Sequence, residues 1–166
     1  LQQQLELEVL VESSKTEMDV SVTDLNRPGM QLVGFYEYFA YERPQVIGKA
    51  EVTYLKSLTE ERRRKCFDDL FLYDIPALVI SRGLDCFPEC LESAVEHEKT
   101  ILRTQEETVD FISQSIDYLN RALAPCVTRH GVLMEIYGEG VLLIGESGMG
   151  KSETAVELVK RGHRLI

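Results

Sequence analysis

The chain has 166 residues, 44% apolar and 28% charged, a balance typical of a soluble globular protein and long enough for one or two domains with a real core. A formal net charge of −10 argues against nucleic acid or an anionic membrane surface as the main partner. No apolar run approaches the length of a membrane-spanning helix, and none reads as a secretory leader. Leu5 to Val11 opens with strict alternation and is rich in strand formers, which predicts a first strand; Gln2 to Gln4 fits the tail of a helix without deciding it. Asp24 to Gly29 carries turn chemistry, and its Pro28-Gly29 pair favours a type II turn. The next stretch is aromatic, with Phe35, Tyr36, Tyr38, Phe39 and Tyr41, but has no basic patch around it, so core or subunit contact is a better reading than base stacking.

Gln45 to Gly48 reads as a strand and Glu51 to Tyr54 as the start of a helix. Thr59 to Lys65 opens another helix, acids first and bases after, and the Arg62 to Lys65 run reads as a solvated face rather than an anion site. Pro76 to Ile80 is a buried strand, Ser81 to Gly83 a turn, Pro88 to His97 a helix, and Thr100 to Thr104 a further strand. Glu106 to Leu123 is amphipathic, with Val109, Phe111, Ile112, Ile116, Leu119 and Leu123 as candidate core. This alternation predicts a parallel α/β layer through about residue 105. Ala124-Pro125-Cys126 breaks the long helix and sets an expected boundary between domains 1–126 and 127–166. Cys66, Cys86, Cys90 and Cys126 form no C-x-x-C pair and read as reduced thiols of a cytoplasmic protein; a metal site from Cys86, Cys90 and His97 is the alternative.

Beyond the boundary, Val127 to Tyr137 and Val141 to Ile144 are β-rich and flank a Gly138-Glu139-Gly140 turn, giving a hairpin. Gly145, Glu146, Ser147, Gly148, Met149, Gly150, Lys151 and Ser152 then fit G-x-x-x-x-G-K-[ST] at every fixed position, with a helical pattern after them and Gly162 at its expected end. The glycines let the loop wind tightly, so that backbone N–H groups and the helix N-terminus face phosphate oxygens. Lys151 would reach the β/γ-phosphates, and Ser152 would offer its hydroxyl to Mg²⁺. The chain starts without Met and stops straight after this helix, inside what reads as the next strand, so a longer parent protein is expected.

Arg129-His130-Gly131-Val132-Leu133, the run Gly145 to Ala155, and Leu158 to Leu165 together resemble the HPr kinase/phosphorylase family. Asp24 to Gly29, Glu42 to Gly48 and Leu123-Ala124-Pro125 resemble it in the N-terminal part. The resemblance implies an N-terminal α/β domain like those of the Mur ligases, followed by the start of a P-loop kinase domain like phosphoenolpyruvate carboxykinase. It further implies a bacterial, hexameric enzyme of carbon catabolite repression, using ATP and Mg²⁺ to phosphorylate a serine of HPr and phosphate to remove it. Phosphate and fructose bisphosphate are the implied effectors. Gly145 to Ser152 take the family's nucleotide loop, Lys151 its catalytic lysine, and His130 its active-site histidine. Glu146 departs from the family's usual Asp. The catalytic aspartates of the family would lie beyond Ile166, so this chain alone is expected to be inactive. The other classes that fit the residues are a different P-loop NTPase and a non-enzymatic sensing or assembly module.

Overall fold

The structure is a computed structural model that describes residues 5–13 and 20–166. In chain order its first strands and helices are β1 (Glu8–Val11), α1 (Gly29–Leu32), β2 (Gln45–Ile47), α2 (Lys49–Lys56), α3 (Glu60–Phe71), β3 (Leu78–Ile80), α4 (Pro88–Glu96), β4 (Ile101–Arg103) and α5 (Thr108–Ala122). They belong to the first of two units into which contacts divide the chain, Leu1–Ala124 and Pro125–Ile166. Gln2 to Gln4 lie outside the described residues.

In the first unit β2, β3 and β4 run parallel, and the sheet order is β1-β4-β3-β2. Each central strand is buried on both faces, which is why it reads as a continuous apolar run rather than an alternation. Ile47, Leu78, Ile80 and Ile101 pack with Phe67, Leu70 and Phe71 of α3 and Cys90 and Ala94 of α4. Val46, Val79 and Leu102 point the other way, onto Phe111 of α5 and Leu7. The fold is mixed α/β, and one part of the expected parallel layer is corrected: β1 pairs antiparallel with β4, with an irregularity between Val9 and Val11. Hydrophobic pattern encodes burial, not strand direction. β1 also starts later than the alternation predicts, because Leu5 and Glu6 lie in a turn and Glu6 takes φ 48°.

Other expectations shift for local reasons. Pro28 has ψ 35°, far from the roughly +120° of a type II turn, and its carbonyl accepts from Leu32 N–H, so Pro28-Gly29 starts α1 instead. On α5, Phe111 and Leu119 are buried, whereas Val109 is 71% exposed. Val109 sits two residues before Phe111, about 200° round the helix and on its outer face. Leu123 is the exposed C-cap residue of this helix. The aromatic segment divides: Tyr36 stacks on Tyr73 at 5.1 Å and Phe39 meets it edge-on at 5.0 Å, while Phe35, Tyr38 and Tyr41 stay exposed. The basic run is only half a solvated face. Arg63 forks onto Glu89 and lies 4.7 Å over the Phe87 ring, and Arg64 reaches Asp68, Glu92 and Glu96, so the pair ties α3 to α4.

The segments 24–29 and 42–48 meet at the edge of the sheet. Asn26 N–H donates to the Pro44 carbonyl, Val46 N–H donates to Asn26, and the Asn26 amide donates to Gln45 Oε1 at 2.7 Å. Arg27 donates to both oxygens of buried Glu51 at 2.8 Å. Glu51 in turn accepts from Gly48 N–H at 2.9 Å and so caps α2. Burial pushes the Glu51 carboxyl upward, but the Arg27 fork and the Gly48 N–H outweigh it and hold the group below the usual glutamate range. A depressed carboxyl stabilises the fold fully above its unfolded pKa, about 4.3, and loses that contribution as the pH falls through the folded value. Glu51→Gln is expected to cost about 1–3 kcal/mol in urea unfolding at neutral pH. The gap from wild type should shrink on acidification below about pH 4. An unchanged midpoint at pH 7 would show that the Arg27–Glu51–Gly48 clamp does not stabilise the sheet edge.

In the second unit β5 (Gly131–Ile136) and β6 (Glu139–Ile144) form an antiparallel hairpin. Its turn is Tyr137-Gly138 rather than Gly138 to Gly140, with φ 52° and 83° at the two central residues. Positive φ at both positions is the primed geometry that matches strand twist. α6 (Lys151–Lys160) follows, and β7 (Arg164–Leu165) returns antiparallel to β5, giving the order β6-β5-β7. Met134 and Ala155 are its buried apolar residues among those described.

Candidate phosphate-binding site

β6 delivers the chain into a loop, 145–150, that turns directly into α6. Gly148 and Gly150 take φ 84° and 79°, in the left-handed region where a side chain is strained. Gly150 is the N-cap of α6, and the first helical bond runs from Thr154 N–H to its carbonyl. The N–H groups of Lys151, Ser152 and Glu153 therefore have no acceptor inside the helix and carry the positive end of its dipole. Lys151 bends back over the loop, its Nζ donating to the carbonyls of Gly145 at 2.8 Å and Glu146 at 2.7 Å. The far end of α6 is closed by a Schellman motif: His163 N–H donates to Leu158 and Gly162 N–H to Val159, with Gly162 at φ 95°.

His130 stands beside this corner. Gly131 pairs with Ile144 at the end of the hairpin, and His130 and Gly145 are the chain neighbours of that last pair. Gly131 has no room for a side chain, since a Cβ there would sit 2.7 Å from the Leu143 carbonyl. The glycine after His130 thus lets the two strands close right up to the loop. Of the sequence-predicted residues, Gly145, Glu146 and Lys151 are brought together by the lysine's bonds, and His130 directly precedes β5 of the same hairpin. Glu153 joins them: its carboxylate lies 3.8 Å from where a Gly150 side chain would begin. Sequence reading passes over Glu153, although an acid in the first turn of a helix is itself a placement signal.

Among the described residues no group of three or more His, Cys, Asp or Glu side chains is placed to hold a metal ion. Cys86, Cys90 and His97 thus form no such site, and no disulfide joins the described cysteines. Cys90 is buried, which pushes its thiol well up.

Comparison with known proteins follows this geometry. The family profile "HPr Serine kinase N terminus" matches residues 1–119, and "HPr Serine kinase C-terminal domain" matches residues 121–166. The chain belongs to the HPr serine kinase family. It is 53% identical over 166 residues to the HPr kinase/phosphorylase of Alkaliphilus metalliredigens, covering 100% of this chain and 54% of that protein. The HPr kinase/phosphorylase of Caldanaerobacter subterraneus subsp. tengcongensis is 50% identical over 162 residues, or 98% of this chain and 53% of that one. That of Clostridium beijerinckii is 51% identical over the same coverage. The chain spans about half the length of the curated relatives it matches. A crystal structure of the CBS and DRTGG domains of Clostridium perfringens pyrophosphatase, complexed with diadenosine tetraphosphate, aligns at TM-score 0.48 and 18% identity, over 70% of this chain and 46% of that one, too distant to bear on function.

The left-handed corner at Gly150 gives a direct test. Valine there would force a β-branched residue to φ 79°, a strain of about 1–2 kcal/mol. Gly150→Val is expected to weaken pyrophosphate binding by the 166-residue chain about tenfold in isothermal titration. Unchanged affinity would mean that the wound loop is not the anion site.

Proposed function

We propose that the chain is the N-terminal part of a bifunctional ATP-dependent protein serine kinase and phosphorylase acting on HPr. The observation that carries this reading is the loop 145–150 wound around two left-handed glycines with Lys151 folded across it, in a chain of the HPr serine kinase family. The relatives at about half identity are named HPr kinase/phosphorylase. In the kinase direction a serine hydroxyl oxygen of HPr bonds to the γ-phosphorus of ATP, the bond to the bridging oxygen breaks, and ADP leaves. In the phosphorolysis direction an oxygen of inorganic phosphate bonds to the phosphorus of phosphoserine, the bond to the serine oxygen breaks, and the serine oxygen takes up a proton, giving free serine and pyrophosphate. Both need the charge on a transferring phosphoryl group offset in one place.

The loop N–H groups and the first-turn amides of α6 fit the phosphates of ATP. Lys151 supplies the compact cation, once its Nζ exchanges the carbonyls of Gly145 and Glu146 for phosphate oxygens. Mg²⁺ fits these residues through the Ser152 hydroxyl, an exposed group of the first helical turn, and bound there it would neutralise phosphate charge. His130, directly before β5, is the group in this chain suited to orient phosphate or the reacting acid. No acid here is assigned as the base for the serine proton, and the 166-residue chain by itself is proposed to be inactive. Residues 1–126 form the regulatory or assembly domain and 127–166 the start of the kinase domain. Exposed Phe35, Tyr38 and Tyr41 support an assembly role for the first of these. Carbon catabolite repression in a bacterial cytoplasm, a homo-hexamer, and phosphate and fructose bisphosphate as effectors complete the proposal.

The test uses the full-length enzyme. Lys151→Ala should lower both HPr serine phosphorylation and phosphorolysis about a hundredfold or more, assayed on one preparation of unchanged oligomeric state. Phosphorolysis that survives while kinase activity disappears would contradict a shared site.

A further inference from the structure

The basic run on α3 splits into two pairs with different partners. Arg63 and Arg64 face α4 and are paired with its acids. Arg62 and Lys65 form no ion pair among the described residues and remain exposed, in a protein whose acids outnumber its bases 28 to 18. Arg62, Lys65, Cys66 and Asp69 recur at helical spacing and so share one side of α3. All four line a cleft of about 220 Å³. Leu32 and Leu58 give it apolar lining, and Tyr54 of α2 contributes a half-exposed ring.

The chemistry of the cleft is graded. Arg62 offers a planar fork and Lys65 a point charge, one helical turn apart, which suits a phosphate or carboxylate group. Cys66 is committed to the protein: its thiol donates to the Leu32 carbonyl at 3.2 Å, and burial, then the nearby Asp69, push it away from the thiolate. It therefore serves as apolar lining rather than as a nucleophile. Asp69 is an acceptor with no ion pair among the described residues, one turn beyond Lys65. The buried hydroxyl of Tyr36 has no hydrogen-bond partner, and its electrostatic neighbours include Asp69 and Cys66, both cleft residues. The volume is below that of pockets for drug-sized ligands, so the fitting molecule is small.

We infer that this cleft between α1, α2 and α3 binds a small organic anion, with its phosphate or carboxylate on Arg62 and Lys65 and its apolar body against Leu32, Leu58 and Tyr54. The site lies wholly within the N-terminal unit and is independent of the phosphate loop and of the function proposed for it.

Phenyl phosphate, titrated into the ¹⁵N-labelled 166-residue chain and followed by NMR, is the test. The amides of Gly34, Leu58 and Cys66 should shift on one saturating curve. Arg62→Gln/Lys65→Gln should weaken that curve at least about tenfold. Lys151→Ala, which alters only the phosphate loop, should leave it unchanged. Inorganic phosphate should bind there several-fold more weakly, because it lacks the apolar body. Both charge substitutions are on exposed residues, and a dispersed amide spectrum confirms that the variant is folded. Shifts confined to residues 145–152, equal affinity for the double variant, or equal affinity for inorganic phosphate would each overturn the inference.

Discussion

The ammonium of Lys151, held by the carbonyls of Gly145 and Glu146, is the contact on which the reading of this molecule depends. It closes the loop 145–150 into a ring in which Met149 N–H donates to the Glu146 carbonyl at 3.3 Å. A carbonyl-lined ring of this kind would unwind if its glycines carried side chains at φ 84° and 79°. The Gly131 approach to the Leu143 carbonyl and the Tyr137-Gly138 turn place the two strands that support it. At the other end of α6, the Schellman closure at Gly162 satisfies the last carbonyls and fixes where the helix stops. In the proposed role the loop is preorganised, and a phosphate would have to displace one lysine from two carbonyls.

The N-terminal unit is built in a way that disfavours a nucleotide crevice of the usual kind. Its parallel strands advance in one direction, β2 to β3 to β4, so there is no point at which the strand order reverses and opens a cleft. The C-terminal ends of β2 and β3 are filled by the protein itself. A Cβ on Gly48 would lie 2.5 Å from Thr108 Oγ1, and Ser81 and Thr108 share a hydrogen bond of 2.7 Å. Glu51 occupies the N-terminus of α2, where an anion would otherwise bind. Among the clefts of the described residues, the side of α3 that carries Arg62 and Lys65 is one that stays open.

Much of this was legible because it rests on strong local signals. The phosphate loop, the helix after it and its terminal glycine follow from glycine spacing, and the buried strands Gln45–Ile47 and Leu78–Ile80 follow from short apolar runs. The helix opening at Thr59 was legible because acids precede bases along it, and in the structure the Thr59 hydroxyl accepts from Arg62 N–H. What the sequence hid is tertiary. The direction of β1 depends on which neighbour it meets, not on its alternation. Val109 looked like core because it is apolar, but Phe111 takes the buried side of α5. The split of the basic run depends on Glu89, Glu92 and Glu96, which lie on another helix. Pro28-Gly29 resembled a turn, but the Pro28 carbonyl is used by α1. His130 was legible only through the family resemblance, and the hairpin register ends one residue after it, at Gly131.

The central claim is that the loop 145–150 and the start of α6 form a phosphate cradle whose lysine is parked on the loop until a ligand arrives. A crystal structure of the full-length protein with a non-hydrolysable ATP analogue and Mg²⁺ tests it most directly. The account predicts that Lys151 Nζ leaves the carbonyls of Gly145 and Glu146 for phosphate oxygens, that the amides of Gly148 to Ser152 donate to the phosphates, and that the glycine dihedrals stay as they are. A nucleotide bound elsewhere, with Lys151 still on those two carbonyls, would contradict it.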